Sequence, residues 1–298
     1  MASMDTRAPV PSPSRPGHRQ KAAEPTHAGT TRLQLEQLMR DMFGPMRAEG
    51  SKADRRSRAQ DLFYQAMEAR DAERAKALLR KALDLDPACV DALSAMVEAS
   101  DGDLEWRINA MRTVVEVGEK DLGPKFFREN RGHFWGLLET RPYMRARQRL
   151  AELLLEAGRR DEGMAEYEAL LDLNPNDNQG VRDLLLGQYL FTGRLDRAAK
   201  LLKAYEEDAS AVFTWGRVLE RHLAGDAEGA AKALEEAREF NRHAEKYLNG
   251  RKAAPSVRGD SYIAGAESEA AFCVECLGGA WKRNPEAVAW LRWQAKGR

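Results

Sequence analysis

The residues with the clearest chemical potential form one short motif near the C-terminus, Cys273-Val274-Glu275-Cys276. Two cysteines at this spacing share one face of a helix, where their thiolates could bind zinc or exchange a disulfide. Zinc needs four ligands, and neither a second motif of this kind nor a nearby pair of histidines supplies the other two. A thioredoxin-like redox site needs a preceding strand, and the residues before Ala270 predict none. The sequence therefore favours buried thiols on an apolar helix face, and a metal or redox role is the open alternative.

Other catalytic or metal-binding patterns are missing from the sequence. It has no glycine-rich phosphate loop and no nucleophile elbow, and its carboxylates stand beside arginines, as Glu156 does near Arg159 and Arg160. Charged neighbours of this kind are typical of solvated helix faces. The histidines are scattered, at His18, His27, His133, His222 and His243. We therefore predict a protein that is not an enzyme, with no catalytic residues, no metal site and no cofactor.

Composition limits the class of protein further. The chain has 298 residues, 43% of them hydrophobic, which is enough for a substantial core, and its 47 basic residues balance its 47 acidic ones. Because the net charge is zero, no overall field draws the chain to nucleic acid or to an anionic membrane. Three cysteines are too few for a secreted disulfide framework, and no apolar run approaches the roughly 18 residues of a membrane span. These features predict a cytoplasmic protein with free thiols, without membrane or nucleic-acid partners.

The helices that would position any site are predicted by a repeat. From Arg56, small and apolar residues form one helical stripe up to Ala66 and a second stripe from Ala75 to Ala82, with a turn at Arg70-Asp71. This pattern is typical of the tetratricopeptide repeat, a hairpin of two antiparallel helices about 34 residues long. Similar units begin near Met144, Gln179 and Ala211, with turns at Gly158, Gly193 and Gly225-Asp226. Such hairpins bury their apolar faces only by stacking, so we predict an all-α tetratricopeptide solenoid, a right-handed superhelix with a concave groove.

The polar stretch from Asn174 to Gly180 lies between two of these units and could be taken for a ligand-binding loop. Pro175 cannot continue a helix, and Asp177 or Asn178 can accept hydrogen bonds from the first backbone N–H groups of the next one. We therefore predict that this stretch is a junction between two helices.

These patterns also predict how the chain divides. Residues 1–30 are rich in proline, serine and arginine, which predicts a disordered tail, and 31–50 form a short helical lead-in. Tetratricopeptide-like helices follow over 51–120, including a less regular pair with its turn at Asp101-Gly102-Asp103. Residues 121–143 are an aromatic-rich connecting segment, expected to pack between two halves of the array, with contact to a ligand as the alternative. Residues 144–298 form the C-terminal array with terminal capping helices, in which Gly278-Gly279 is expected to end or loosen a helix.

The predicted groove supplies the candidate binding residues, because the first helix of each hairpin lines it. Arg145 and Arg149 are like charges one turn apart, which costs a helix about a few tenths of a kcal/mol. They suggest a basic patch for an acidic or C-terminal peptide, and the alternative is ion pairing with Glu152 and Glu156. Trp215 could anchor a partner or could pack on the next helix. The predicted partner-binding residues are Arg145, Gln148, Arg149, Glu152, Arg182, Asp183 and Trp215.

Two segments resemble known proteins. Residues Thr140–Leu186 resemble bacterial tetratricopeptide proteins. The C-terminal elements are Glu239-Phe240-Asn241, His243, Lys246-Tyr247-Leu248, Arg258-Gly259-Asp260, the stretch Glu267–Cys276 and Trp281-Lys282. Their order resembles the C-terminal signature of the suppressor of tumorigenicity 7 family. This resemblance implies an all-helical repeat scaffold without catalytic residues. Eukaryotic members have membrane-spanning segments that this sequence lacks, so it implies neither membrane association nor a role in tumours.

Together these features predict a scaffold that binds a peptide or protein segment in a concave groove, without covalent chemistry. The identity of that partner does not follow from the sequence. The alternative is an RNA-binding helical repeat, in which each hairpin contacts a nucleotide. That alternative requires a basic groove and salt-dependent binding. The two functions therefore differ in the charge expected on the inner face.

Overall fold

The computed structural model describes residues 51–256 and 261–296, so the predicted tail over 1–30 and lead-in over 31–50 lie outside the described residues. Within these two ranges the chain forms thirteen α-helices and two short 3-10 helices, and no β-strand. The prediction of an all-α protein is therefore confirmed. In the same ranges, no helix combines the length and the apolar character that a bilayer crossing requires.

The chain divides into two compact units, with the division between Glu166 and Tyr167. The α-helices of unit 1 are α1 Lys52–Glu68, α2 Ala72–Leu85, α3 Val90–Glu98, α4 Leu104–Asn130, α5 Arg141–Glu156 and the first part of α6 Arg160–Leu173. The 3-10 helices are Phe134–Gly136 and Leu138–Thr140.

Unit 1 is built from helical hairpins. Helix α1 packs against α2 and α3 packs against α4, while α3 also contacts α1 on one side and α5 on the other. The first helices of successive hairpins, α1, α3 and α5, therefore lie side by side. We call the surface that they form the inner face of unit 1.

The predicted turns of unit 1 lie where the periodicity placed them. The side chain of Asp71 accepts a hydrogen bond from the backbone N–H of Arg74 at 2.7 Å and begins α2. Asp103 does the same for Trp106 at 2.8 Å and begins α4. Each carboxylate satisfies a backbone donor that has no partner inside the helix, which is why the hairpins turn at these residues.

The aromatic-rich segment packs inside unit 1. Helix α4 bends at Gly123, whose φ of 79° is left-handed, and continues through the segment to Asn130. The centre of the Phe127 ring lies 4.9 Å from the centre of the Phe134 ring and 5.4 Å from the centre of the Tyr143 ring. These rings join the end of α4 to the start of α5.

Unit 2 contains the rest of α6 and seven further helices. They are α7 Val181–Phe191, α8 Leu195–Ala204, α9 Ala211–Leu223, α10 Ala227–Asn241, α11 His243–Leu248, α12 Glu267–Arg283 and α13 Pro285–Gln294. Helices α7 and α8 form one hairpin and α9 and α10 another, and α7 packs against α9. The surface formed by α7 and α9 is the inner face of unit 2.

The junction before α7 is confirmed. The two carboxylate oxygens of Asp177 accept hydrogen bonds from the backbone N–H groups of Val181 and Arg182, at 3.0 and 2.9 Å. The preceding helix ends at Leu173, two residues before Pro175. The polar stretch is therefore a helix-capping loop, as its residue types predicted.

Helix α12 covers the inner face of unit 2. It packs along both α7 and α9, and its backbone approaches α7 so closely that a Cβ atom at Gly187 would lie 2.2 Å from the carbonyl oxygen of Cys276. Gly278-Gly279 was expected to end or loosen a helix, and the first of these expectations was wrong, because α12 continues through both residues to Arg283. A Cβ atom at Gly279 would lie 3.4 Å from the ring of Phe191, so this glycine lies where α12 meets α7.

Candidate functional site

The inner face of unit 1 contains a cavity of about 380 Å³. Its walls come from α1, from the start of α3, from the middle of α4 and from the residues that lead into α5. We call it the α1–α5 cavity. Its lining includes Arg56, Gln60, Asp61, Tyr64, Cys89, Asp121, Leu138, Glu139, Arg141 and Arg145.

A buried carboxylate joins the three first helices at this cavity. Asp91, at the start of α3, is only 4% exposed. It accepts a hydrogen bond from the side chain of Gln60 on α1 at 2.8 Å. It also accepts hydrogen bonds from the Nε and Nη2 groups of Arg145 on α5, and the distance to Nε is 3.1 Å. The two-point contact fixes the plane of the guanidinium group. Arg145 therefore links α5 to α3. The sequence had offered a basic patch or ion pairing with Glu152 and Glu156, and Asp91 was not among these partners.

A second ion-pair group joins α1 to α4 at this cavity. Arg56 of α1 pairs with Asp121 of α4, and its Nε lies 3.7 Å from a carboxylate oxygen of Asp86. Lys52, one turn earlier, also contacts Asp121 at 3.1 Å. Asp86 and Asp121 supply two negative charges for the two positive charges of Arg56 and Lys52, so the positive charge of this group is balanced within the unit.

The rim of the cavity exposes two large apolar side chains. Tyr64 of α1 is 53% exposed, and Leu138, just before α5, is 70% exposed. Asp61 and Glu139 lie at the same rim, and neither carboxylate has a hydrogen bond or an ion pair with any residue in the described ranges. The rim therefore offers apolar surface and free negative charge together. Deeper in the cavity, burial raises the pKa of the Cys89 thiol to about 11, which keeps it protonated at neutral pH.

The next predicted residues on α5 also form ion pairs within unit 1. Arg149 makes two contacts with Glu98 of α3, at 2.7 and 3.1 Å, and a third with Glu152 at 3.0 Å. Gln148 donates to Glu152 at 3.4 Å. Burial alone would lower the pKa of Arg149, but the hydrogen bonds and charges of both glutamates outweigh it and raise that pKa. Glu152 is thus one of the two glutamates that the ion-pairing alternative predicted as partners of these arginines.

Arg182 lies in unit 2, on α7. It donates to Asp208 at 2.9 Å, and its guanidinium group stacks over the ring of Tyr205 at 4.9 Å from the centroid. A third contact, to Asp177, is 3.9 Å long. This arginine holds the loop before α9 against the start of α7.

Asp183 is also on α7 and is only 8% exposed. Its Oδ1 atom is buried and accepts no hydrogen bond from any described residue. Burial raises its pKa to about 7, and the nearby carboxylate of Asp208 adds to the effect while Arg182 opposes it. The side chain therefore titrates near neutral pH, inside unit 2.

Trp215 is on α9 and is fully buried. Its indole N–H donates to the backbone carbonyl of Asn241 at 3.0 Å. This position agrees with the packing alternative, and it leaves no surface of the ring for a partner. Arg145, Gln148, Arg149 and Glu152 therefore lie together in unit 1, whereas Arg182, Asp183 and Trp215 belong to unit 2.

Cys273 and Cys276 lie on α12, on a helix as expected. The Cys273 thiol donates to the carbonyl of Ala211 on α9 at 3.4 Å, and burial raises the pKa of both thiols well above the ordinary value. Both are free thiols. Across 51–256 and 261–296, no three or more His, Cys, Asp or Glu side chains are arranged to hold a metal ion. The contacts of these cysteines are those of packing residues.

Sequence reasoning missed most of the α1–α5 cavity. Gln60 and Asp91 occupy the first helices of the first two hairpins, as Arg145 does in the third. The rule that selected Arg145 would have selected them if it had been applied to the earlier repeats. Tyr64 and Leu138 carried a weaker signal, since a single apolar residue on a polar helix face is common.

The described residues thus form an all-α protein of helical hairpins, with a cavity on the inner face of unit 1. A scan against protein-family models gives no match, and a search of curated proteins gives none either. The resemblance to the suppressor of tumorigenicity 7 family stays a prediction. One of its elements, Arg258-Gly259-Asp260, lies outside the described residues.

Proposed function

We propose that this chain is a non-catalytic interaction protein that binds a peptide segment in the α1–α5 cavity. The hairpins of each unit, with their first helices side by side, support a tetratricopeptide-like arrangement. In repeats of this type the first helices form the binding face. The proposal includes a cytoplasmic location and places the partner on unit 1.

The observation that carries the proposal is the exposure of Tyr64 and Leu138 at the rim of a preformed cavity. The volume of about 380 Å³ falls within the range of roughly 300–1,000 Å³ typical of ligand sites. An exposed tyrosine offers a large contact area at low entropic cost, and such residues often dominate binding energy. The ion pairs below the rim hold three helices in place, so the cavity is formed before a partner arrives.

Unit 2 gives less support for a binding face of its own. Its inner face is covered by α12, whose residue Glu269 accepts a hydrogen bond from the N–H of Ala211 at 3.0 Å. The contact between α12 and α9 is thus polar as well as apolar. A partner on this face would first have to displace α12.

The charge of the α1–α5 cavity gives no support to the RNA alternative. Its three arginines are Arg56, Arg141 and Arg145. Two are paired with carboxylates, and Arg141 donates to the carbonyl of Trp135 at 3.1 Å. An RNA-binding face needs basic side chains that are free to meet phosphates.

The test begins with peptides selected from a random displayed library on the full-length chain. Their affinities are then measured by calorimetry for the wild type, for Tyr64→Ala and for Leu138→Ala. We expect each variant to weaken binding about tenfold, as loss of a central contact of about 1.4 kcal/mol would. The matched control is Met67→Ala, since Met67 is 50% exposed on the same helix and does not line the cavity. Unchanged affinities for both cavity variants, or an equal loss in the control, would reject the proposal.

A further inference from the structure

The charges of the α1–α5 cavity are not equally available to a partner. Three arginines and four carboxylates line it: Arg56, Arg141, Arg145, Asp61, Asp86, Asp121 and Glu139. A fifth carboxylate, Asp91, is buried, does not line the cavity and pairs with Arg145. The charge that the cavity offers to a partner is therefore the charge of those groups that are not paired with another residue of the unit.

Each arginine of the cavity is already engaged. Arg145 is held at two points by Asp91, and Arg56 is shared between Asp86 and Asp121. Arg141 places its guanidinium group 5.1 Å from the centre of the Trp135 ring and donates to that residue's carbonyl. An acidic partner would have to compete with these contacts.

Two carboxylates of the cavity remain without any partner among the described residues, Asp61 on α1 and Glu139 before α5. Both are exposed. Tyr64 follows Asp61 by three residues on α1, so both side chains lie on the same face of that helix and both line the cavity. A carboxylate next to an aromatic ring is a favourable site for a cation, because the ring face attracts positive charge as well.

We propose that the segment bound in the α1–α5 cavity carries a lysine or arginine side chain next to an apolar one. The basic side chain contacts Asp61, Glu139 and the ring of Tyr64, and the apolar neighbour packs on Leu138. This inference rests on the proposed function. Its charge is opposite to that of the basic patch that the sequence offered as one interpretation, because Arg145 and Arg149 are paired with Asp91 and Glu98 of α3.

The test uses peptides from the same selection, limited to those whose binding to the full-length chain is lost in Tyr64→Ala. We expect these peptides to be enriched in lysine or arginine beside an apolar residue. Affinity is then measured by fluorescence anisotropy for the double variant Asp61→Asn with Glu139→Gln. We expect about tenfold weaker binding of a basic peptide, from the loss of two exposed charge contacts.

The matched control removes two exposed carboxylates of unit 1 that do not line the cavity, Glu68→Gln with Asp101→Asn. It should bind the basic peptide as the wild type does. A charge-reversed variant, Asp61→Lys with Glu139→Lys, should instead prefer the same peptide with its basic residue changed to glutamate. All three variants change exposed side chains that have no hydrogen bond or ion pair with any described residue, so their melting temperatures should match that of the wild type.

Three results would overturn the inference and leave the proposed function intact. The first is that the peptides whose binding is lost in Tyr64→Ala are enriched in aspartate or glutamate, and the second is that these peptides carry no charge. The third is that the cavity variant and its control weaken the binding of the basic peptide equally. If no selected peptide depends on Tyr64, the proposed function fails and this inference fails with it. The two failures are therefore distinguishable.

Discussion

Replacement of Asp183 with asparagine should stabilise the protein more as the pH rises. The carboxyl group lies inside unit 2, and its Oδ1 atom has no hydrogen-bond donor among the described residues. Burial raises its pKa from 3.8 to about 7, with Asp208, Asp177 and Glu269 adding to the effect and Arg182 opposing it. Ionisation is therefore easier in the unfolded chain than in the folded one. Asparagine has nearly the same shape and cannot ionise.

The size of the effect follows from the two pKa values. Between about pH 4 and pH 7 the unfolded chain has released this proton, whereas the folded chain still holds it. Stability from this group therefore falls as the pH rises through that window and levels off above it. A shift of about three units corresponds to a full penalty of about 4 kcal/mol, of which about 3 kcal/mol develops between pH 5 and pH 8. The asparagine variant lacks this penalty.

Urea unfolding of the full-length chain, followed by circular dichroism across this pH range, measures the effect. The free energy of unfolding of Asp183→Asn minus that of the wild type should increase by about 3 kcal/mol from pH 5 to pH 8. Glu207→Gln is the control, because Glu207 is an exposed carboxylate of the same unit. Its difference from the wild type should stay nearly constant. A constant difference for Asp183→Asn as well would refute the burial argument.

Three further predictions test the packing. Gly187→Ala should destabilise the protein by about 1–3 kcal/mol in urea unfolding, because the new Cβ atom would meet the backbone of α12. The control is Gly136→Ala, which should change stability little because the space around its Cβ position is open. Arg145→Met should lower the free energy of unfolding by about 1–3 kcal/mol in the same assay, because it leaves Asp91 buried without its cation. Adding Asp91→Asn to this variant should recover part of that loss. If the costs of the two substitutions simply add, the pairing is contradicted. Cys89 and Cys273, which are both buried and whose pKa values burial raises, should react slowly with an aromatic disulfide reagent at pH 8 in the native protein and quickly in urea, and a fast native reaction of these two thiols would contradict their burial.

Local features of this fold could be predicted because they depend on residues close together in the chain. The turn at Asp71 and the junction at Asp177 each need one carboxylate that reaches backbone N–H groups a few residues later. Helix periodicity likewise placed Ala59 and Ala82 in the core, where both are fully buried. Such signals act within one turn of helix.

The candidate site could be predicted only in part, because its charges depend on distant partners. The sequence placed Arg145 and Arg149 one turn apart as like charges, and it offered either a basic patch or ion pairing with Glu152 and Glu156. Glu152 was named correctly as a partner of Arg149, since it lies one turn away. Asp91, which neutralises Arg145, lies 54 residues earlier, and only the packing of α3 against α5 brings it near. The sign of the free charge at the cavity therefore did not follow from the sequence.

The sequence contains only one weak indication that another helix covers the inner face of unit 2. Gly187 lies in the middle of an apolar helix, where glycine costs about 1 kcal/mol relative to alanine. A glycine in that position can indicate the close approach of another backbone. Its partner is the carbonyl of Cys276, so the contact that explains the glycine also places Cys276 against α7. Periodicity alone gives no orientation for α12.

Hydrogen exchange of the full-length chain, measured by mass spectrometry with and without a selected peptide, tests the central claim most directly. Binding in the α1–α5 cavity should slow exchange in the stretches Arg56–Tyr64 and Leu138–Arg145, and it should leave α7, α9 and α12 unchanged. Protection confined to α7, α9 or α12, with no change in unit 1, would contradict the account.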